Sequence, residues 1–123
     1  MENLIIPETS RTPKVNLDTN GIVEISGNSL IENTEQFYKT IQNWLEDYVK
    51  NPQKETIVTF NMNYYNTSSQ MWIFQIFDTL TNLKRVGQNV IFNWYYNDID
   101  IRESGEDLAG LLNIDINFIN SDK

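Results

Sequence analysis

Between Val58 and Tyr96 the spacing of apolar residues switches twice. Val58, Phe60, Met62 and Tyr64 alternate with Thr59, Asn61 and Asn63, the period of a half-buried strand. From about Ser68 to Arg85, Met71, Trp72, Ile73, Phe74, Ile76, Phe77, Leu80 and Leu83 follow at helical spacing, and Gly87 closes the run. Val90, Phe92, Trp94 and Tyr96 then return to alternation in a strand over Asn89 to Tyr96. Strand, long helix, strand in that order cannot be a hairpin. It demands parallel strands joined by a crossover, and such crossovers are right-handed.

The flanking chain extends the same plan. Val15–Asp18 and Ile22–Ser26 surround Asp18-Thr19-Asn20-Gly21, which suits a hairpin turn. Gly27 to Asn33 is expected as a loop. Asn33 with Gln36 three residues on starts a helix over about Thr34 to Lys50, whose apolar face holds Phe37, Ile41, Trp44, Leu45, Tyr48 and Val49. A third helix is expected over about Asp100 to Leu112, weakened by Gly105 and Gly110, and a last strand carries Ile114, Ile116 and Phe118. Residues 1–13, with Pro7 and Pro13, suggest an extended arm, and the polar tail from Asn120 to Lys123 suggests fraying. The expected fold is one α/β domain over residues 1–123, of order ββαβαβαβ. Its sheet is mixed and mostly parallel, with the helices mainly on one face because the strands alternate. The apolar surface of the helix after Asn66 is too wide for one stripe. Either this helix is deeply buried or it keeps a second apolar face for a partner.

Composition narrows function by what is missing. The chain has no Cys and no His. Thiolate chemistry, the Ser-His-Asp triad and most transition-metal sites are excluded. The net charge of −8 disfavours nucleic acid and anionic membranes as partners. The start of the chain lacks the pattern of a signal peptide, and no stretch has transmembrane length, so a cytoplasmic protein is expected.

Asn66-Thr67-Ser68-Ser69 stands where a strand ends and a helix begins, beyond the carboxyl end of a parallel strand. Unpaired amides and the helix dipole there suit a capping side chain, an anion or a phosphorylated hydroxyl. Thr67 with Gln70 fits a capping box, and a capping Thr can also be a kinase substrate. The stretch lacks the glycines of a nucleotide-binding loop and has no neighbouring base to activate a nucleophile. The acids Asp98, Asp100, Glu103, Glu106 and Asp107 do not match a calcium loop, because Arg102 and Glu103 fall where an oxygen ligand and a glycine belong. No metal and no cofactor is expected. Most aromatics belong to core patterns. Trp72, one turn into the wide helix, is a candidate partner anchor.

Taken together, several stretches resemble the SiaC-type regulatory phosphoproteins, a bacterial family. They are Thr12-Pro13, Ile25-Ser26-Gly27-Asn28-Ser29, Glu32-Asn33, Tyr64-Tyr65-Asn66-Thr67-Ser68-Ser69, Trp94-Tyr95-Tyr96 and Glu103-Ser104-Gly105-Glu106-Asp107. Leu30-Ile31 and Gln70 depart from the family pattern. The resemblance implies a STAS-like fold and no catalysis. It implies phosphorylation of Thr67 by a cognate Ser/Thr kinase, with Ser68 and Ser69 as secondary candidates, and release by a PP2C-type phosphatase. It further implies that the unphosphorylated form binds an effector such as a diguanylate cyclase, in cyclic di-GMP and biofilm signalling. The expected partner surface takes in Glu32, Asn33, Tyr65, Asn66, Thr67, Ser68 and Trp72. Two other readings compete: a constitutive interaction module in which Thr67 only caps a helix, and a small carboxylate- or metal-dependent enzyme.

Overall fold

The computed structural model describes residues 1–121. Six strands form one sheet in sequence order: β1 (Leu4–Ile6), β2 (Lys14–Asp18), β3 (Ile22–Ser29), β4 (Glu55–Tyr65), β5 (Asn89–Tyr96) and β6 (Asn117–Asn120). Helices α1 (Thr34–Tyr48), α2 (Thr67–Arg85) and α3 (Ile99–Leu112) connect β3 through β6. β1, β2 and β3 are antiparallel, while β3 to β6 run parallel. Each helical crossover steps one strand in the same direction, so right-handedness places all three helices on one face. Burial agrees. Val15, Val23, Ile25, Val58, Phe60, Val90, Phe92 and Trp94 point into the core. On the other face the row Asn16, Glu24, Thr59, Asn93 and Asn117 remains at least partly exposed.

The order matches expectation with one strand added. The arm is not wholly irregular: Leu4–Ile6 pairs with Val15–Leu17, and the Trp44 indole donates to Glu2 O at 2.7 Å. The segment from Gly27 to Ser29 is also strand rather than loop. At the other end, Asn120 belongs to β6 and Ser121 donates its amide to Tyr96 O at 2.9 Å, so the expected fraying does not begin at Asn120. Asp122 and Lys123 lie outside the described residues.

A second correction concerns β4. Gly27 pairs with Met62 but Asn28 pairs with Tyr64, leaving Asn63 as an extra residue. Gly27, at φ +115°, accommodates the irregularity. One inserted residue inverts the alternation beyond it. Tyr64, expected inside with Met62, is 52% exposed, and Tyr65 turns toward the helices instead.

The width of the apolar surface on α2 has a structural cause. This helix lies between α1 and α3 and over the sheet, so it is covered on three sides. Ile73, Ile76, Phe77, Leu80 and Leu83 are buried. Deep burial, not a second free face, accounts for most of its apolar residues; Met71 is the large one left exposed.

Candidate functional site

The corner between β4 and α2 is built by Asn66. Its backbone is extended, at φ −81° and ψ 172°, and it is the N-cap. Its Oδ1 accepts the Ser69 amide at 3.0 Å and the Ser69 hydroxyl at 2.6 Å. Its Nδ2 donates to Ile31 O at 2.9 Å, and its own amide donates to Ser29 O at 3.0 Å. This corrects the expectation that Thr67 with Gln70 forms the cap. Asn66 and Ser69 share the same spacing of three, and the chain turns one residue earlier. An Asn in the extended region reaches the third amide as well as a Thr does, and it can also donate.

The three hydroxyls after Asn66 therefore have different environments. Thr67 is the first helical residue, exposed, and its hydroxyl makes no hydrogen bond among the described residues. Ser68 is exposed, and its hydroxyl donates toward Asn66 Oδ1 at 3.2 Å and Ile31 O at 3.4 Å. Ser69 is fully buried. Its hydroxyl lies 2.7 Å from that of Ser29, which in turn accepts from the Tyr38 hydroxyl at 2.7 Å. Burial pushes the Tyr38 hydroxyl above the ordinary tyrosine value, although the bonds to Ser29 and Ser69 pull it back.

Around this corner the expected partner residues divide into groups. Glu32 and Asn33 are exposed, and Asn33 caps α1 by accepting the Gln36 amide at 3.4 Å. They follow Ile31, whose carbonyl holds Asn66 and Ser68, so this loop and the hydroxyl run form one surface. Tyr65 is half-buried and turned away toward α3. Its hydroxyl donates to Ser104 Oγ at 2.6 Å, and its pKa is raised by burial, lowered by Ser104 and raised by the charge of Asp98. Trp72 lies on the opposite flank of α2, half-buried and stacked on Tyr38 with ring centroids 6.2 Å apart. Glu32, Asn33, Asn66, Thr67 and Ser68 are thus brought together, with Tyr65 and Trp72 at the sides. Sequence reasoning gave no role to Ser29, Tyr38 and Ser104. The signal in hand was the pair of hydroxyls ending β3 and opening α2.

Two of the acids at the third helix are already engaged. Asp98 caps α3, accepting the Ile101 amide at 3.0 Å, and Glu106 accepts from Arg102 at 3.1 Å. Arg102 also donates to the Tyr96 hydroxyl at 2.9 Å and lies against the rings of Tyr96 and Phe118. Among the described residues no group of three or more acids is placed to hold a metal ion. Gly105 is buried where a Cβ would come within 2.6 Å of the Trp94 ring, so this glycine permits close helix–sheet packing. No helix among the described residues is long and apolar enough to cross a membrane.

The chain is thus a one-sided α/β domain with an exposed threonine at the head of its central helix. A family model described as SiaC family regulatory phosphoprotein matches residues 6–121, and the chain belongs to that family. The fold is similar to that of SiaC of Pseudomonas aeruginosa, with a TM-score of 0.84, 27% identity and 97% of each chain covered. It also matches a chain in the crystal structure of diguanylate cyclase SiaD in complex with its activator SiaC, from the same organism. That match has a TM-score of 0.88 at 24% identity, covering 95% of this chain and 98% of that one, and speaks to the fold alone. An uncharacterized protein of Pseudomonas aeruginosa (strain UCBPP-PA14) is 29% identical over 97 residues, 78% of this chain and 77% of its own length.

Proposed function

We propose that this chain is a non-enzymatic cytoplasmic regulator that binds an effector, such as a diguanylate cyclase, when Thr67 is unphosphorylated. A cognate kinase adds the phosphate and a PP2C-type phosphatase removes it. The observation that carries this reading is the division of labour at the corner. Asn66 caps the helix and Ser69 is buried, so Thr67 is left exposed with an uncommitted hydroxyl. In the competing reading, a constitutive interaction module in which Thr67 only caps the helix, the capping role of Thr67 falls away because Asn66 fills it.

Phosphate on Thr67 adds about −1.5 to −2 charges. At a helix N-terminus the dipole favours that charge, so the fold survives and the surface changes. An effector pocket fitted to a neutral Thr67 then meets bulk and a charge that is costly to desolvate. Membership of a regulatory phosphoprotein family supports the phosphate, and the SiaC of the solved complex is an activator of a diguanylate cyclase.

Incubation with the cognate kinase and ATP, read by intact mass and site mapping, tests the modification. One phosphate on Thr67, absent from Thr67→Ala, is expected. A phosphate mapped to Ser69 or to another element would overturn it.

A further inference from the structure

Thr67, Met71 and Gln75 are exposed and recur every four residues, so they form one stripe along α2. Beside this stripe, Gln42 of α1 with Met71, Trp72 and Gln75 lines a concavity of about 240 Å³. Its aromatic side is firm, because Trp72 stacks on the buried Tyr38 with ring planes 13° apart. Its other apolar side is adaptable, because Met71 is 70% exposed and has an unbranched side chain.

The polar wall holds an unused acceptor. Gln42 is only 6% exposed. Its Nε2 donates to Glu46 Oε2 at 3.1 Å and to Thr79 Oγ1 at 2.7 Å, while its Oε1 has no partner among the described residues. The Glu46 carboxylate favours this orientation, since a flipped amide would turn its oxygen toward that carboxylate. Leaving a buried amide oxygen unpaired is unfavourable, and such atoms in folded proteins call for an explanation. A donor brought by another molecule supplies one. The exposed Glu46 carboxylate beside it and the net charge of −8 make a cationic donor the complementary one.

We infer that the groove between α1 and α2 receives an arginine side chain of the effector protein. The stem lies on Met71 and Trp72, and the guanidinium donates to Gln42 Oε1 and to the Glu46 carboxylate. Arginine fits better than lysine because a planar guanidinium can serve two acceptors while stacking on an indole face. Thr67 stands one turn from Met71. A phosphate there would compete for the same guanidinium and draw the effector segment out of register. This inference rests on the proposed effector binding only for the identity of the partner.

The test uses the full unphosphorylated chain and three small probes: N-acetyl-argininamide, its neutral citrulline analogue and its norleucine analogue. Binding is followed by NMR at the Trp72 indole N–H and the Gln42 side-chain amide, with the Trp44 and Trp94 indoles as internal controls. Saturable shifts at Trp72 and Gln42 are expected, with the arginine probe at least about threefold tighter than either analogue. Gln42→Met and the exposed Glu46→Gln should each remove that preference. No saturable shift with the arginine probe, equal affinity for the norleucine analogue, or an unchanged preference in folded Glu46→Gln would overturn the inference. None of these outcomes bears on where the kinase places its phosphate.

Discussion

The Ser29 and Ser69 hydroxyls, 40 residues apart in sequence, meet at 2.7 Å in a buried position between the end of β3 and the first turn of α2. Tyr38 closes the chain from α1 by donating to Ser29. Three elements are thereby fixed to one corner, and Ser69 is withdrawn from solvent. Replacing Ser29 with Ala should remove the acceptor of the buried Tyr38 hydroxyl, while Ser69 keeps its bond to Asn66 Oδ1, and cost about 1–3 kcal/mol of stability. Urea unfolding measures this directly.

Asn66 and Thr67 should respond in opposite ways to truncation. Asn66→Ala loses the cap and the bond to Ile31 O, with an expected loss of about 1–2 kcal/mol. Thr67→Ala removes an exposed hydroxyl with no partner among the described residues and should change stability by no more than about 0.5 kcal/mol. Thermal melts of the two variants decide which residue is the cap. A larger loss for Thr67→Ala would restore the capping box predicted from the sequence.

Gly105 and Gly110 occupy the same helix and should also part company. A Cβ on Gly105 would meet the Trp94 ring at 2.6 Å and the Phe118 ring at 2.8 Å, so Gly105→Ala should destabilise by about 1–3 kcal/mol. A Cβ on Gly110 would meet nothing within 4 Å among the described residues, and Gly110→Ala should stabilise by about 0.5–1 kcal/mol through helix propensity. Denaturant midpoints for the pair provide the check.

Much of the fold was legible because hydrophobic period is a local signal. The alternation in β4 and β5 and the helical spacing between them fixed the parallel crossovers, and Asn33 marked the start of α1 correctly. Most of the misses share a cause, which is that long-range pairing decided them. Leu4–Ile6 is too short to show a period and becomes a strand only beside β2. Asn63 is ordinary in sequence, yet as an inserted residue it sends Tyr65 inward and Tyr64 outward. At the corner, Asn66–Ser69 and Thr67–Gln70 have equal spacing, and only the backbone angles choose between them. The motif Glu103 to Asp107 gave no hint of its spatial role. There, Ser104 takes the Tyr65 hydroxyl and Gly105 makes room for Trp94.

Alkaline pH should expose the buried tyrosines. The Tyr38 and Tyr65 hydroxyls both titrate above the ordinary value of 10.0 in the folded chain, chiefly because burial disfavours the phenolate. The native state keeps these protons where the unfolded chain has begun to lose them. Their contribution is therefore intact below about pH 10 and is lost as pH rises beyond it. Urea midpoints on either side of that value should fall with rising pH, and Tyr38→Phe should fall less steeply.

The most direct test of the proposed switch is a calorimetric titration of the proposed diguanylate cyclase effector with this chain, before and after complete phosphorylation at Thr67. We predict that the phosphorylated chain binds at least about tenfold more weakly. Equal affinity of the two forms, with phosphate confirmed on Thr67 in the titrated sample, would contradict a switch at that residue.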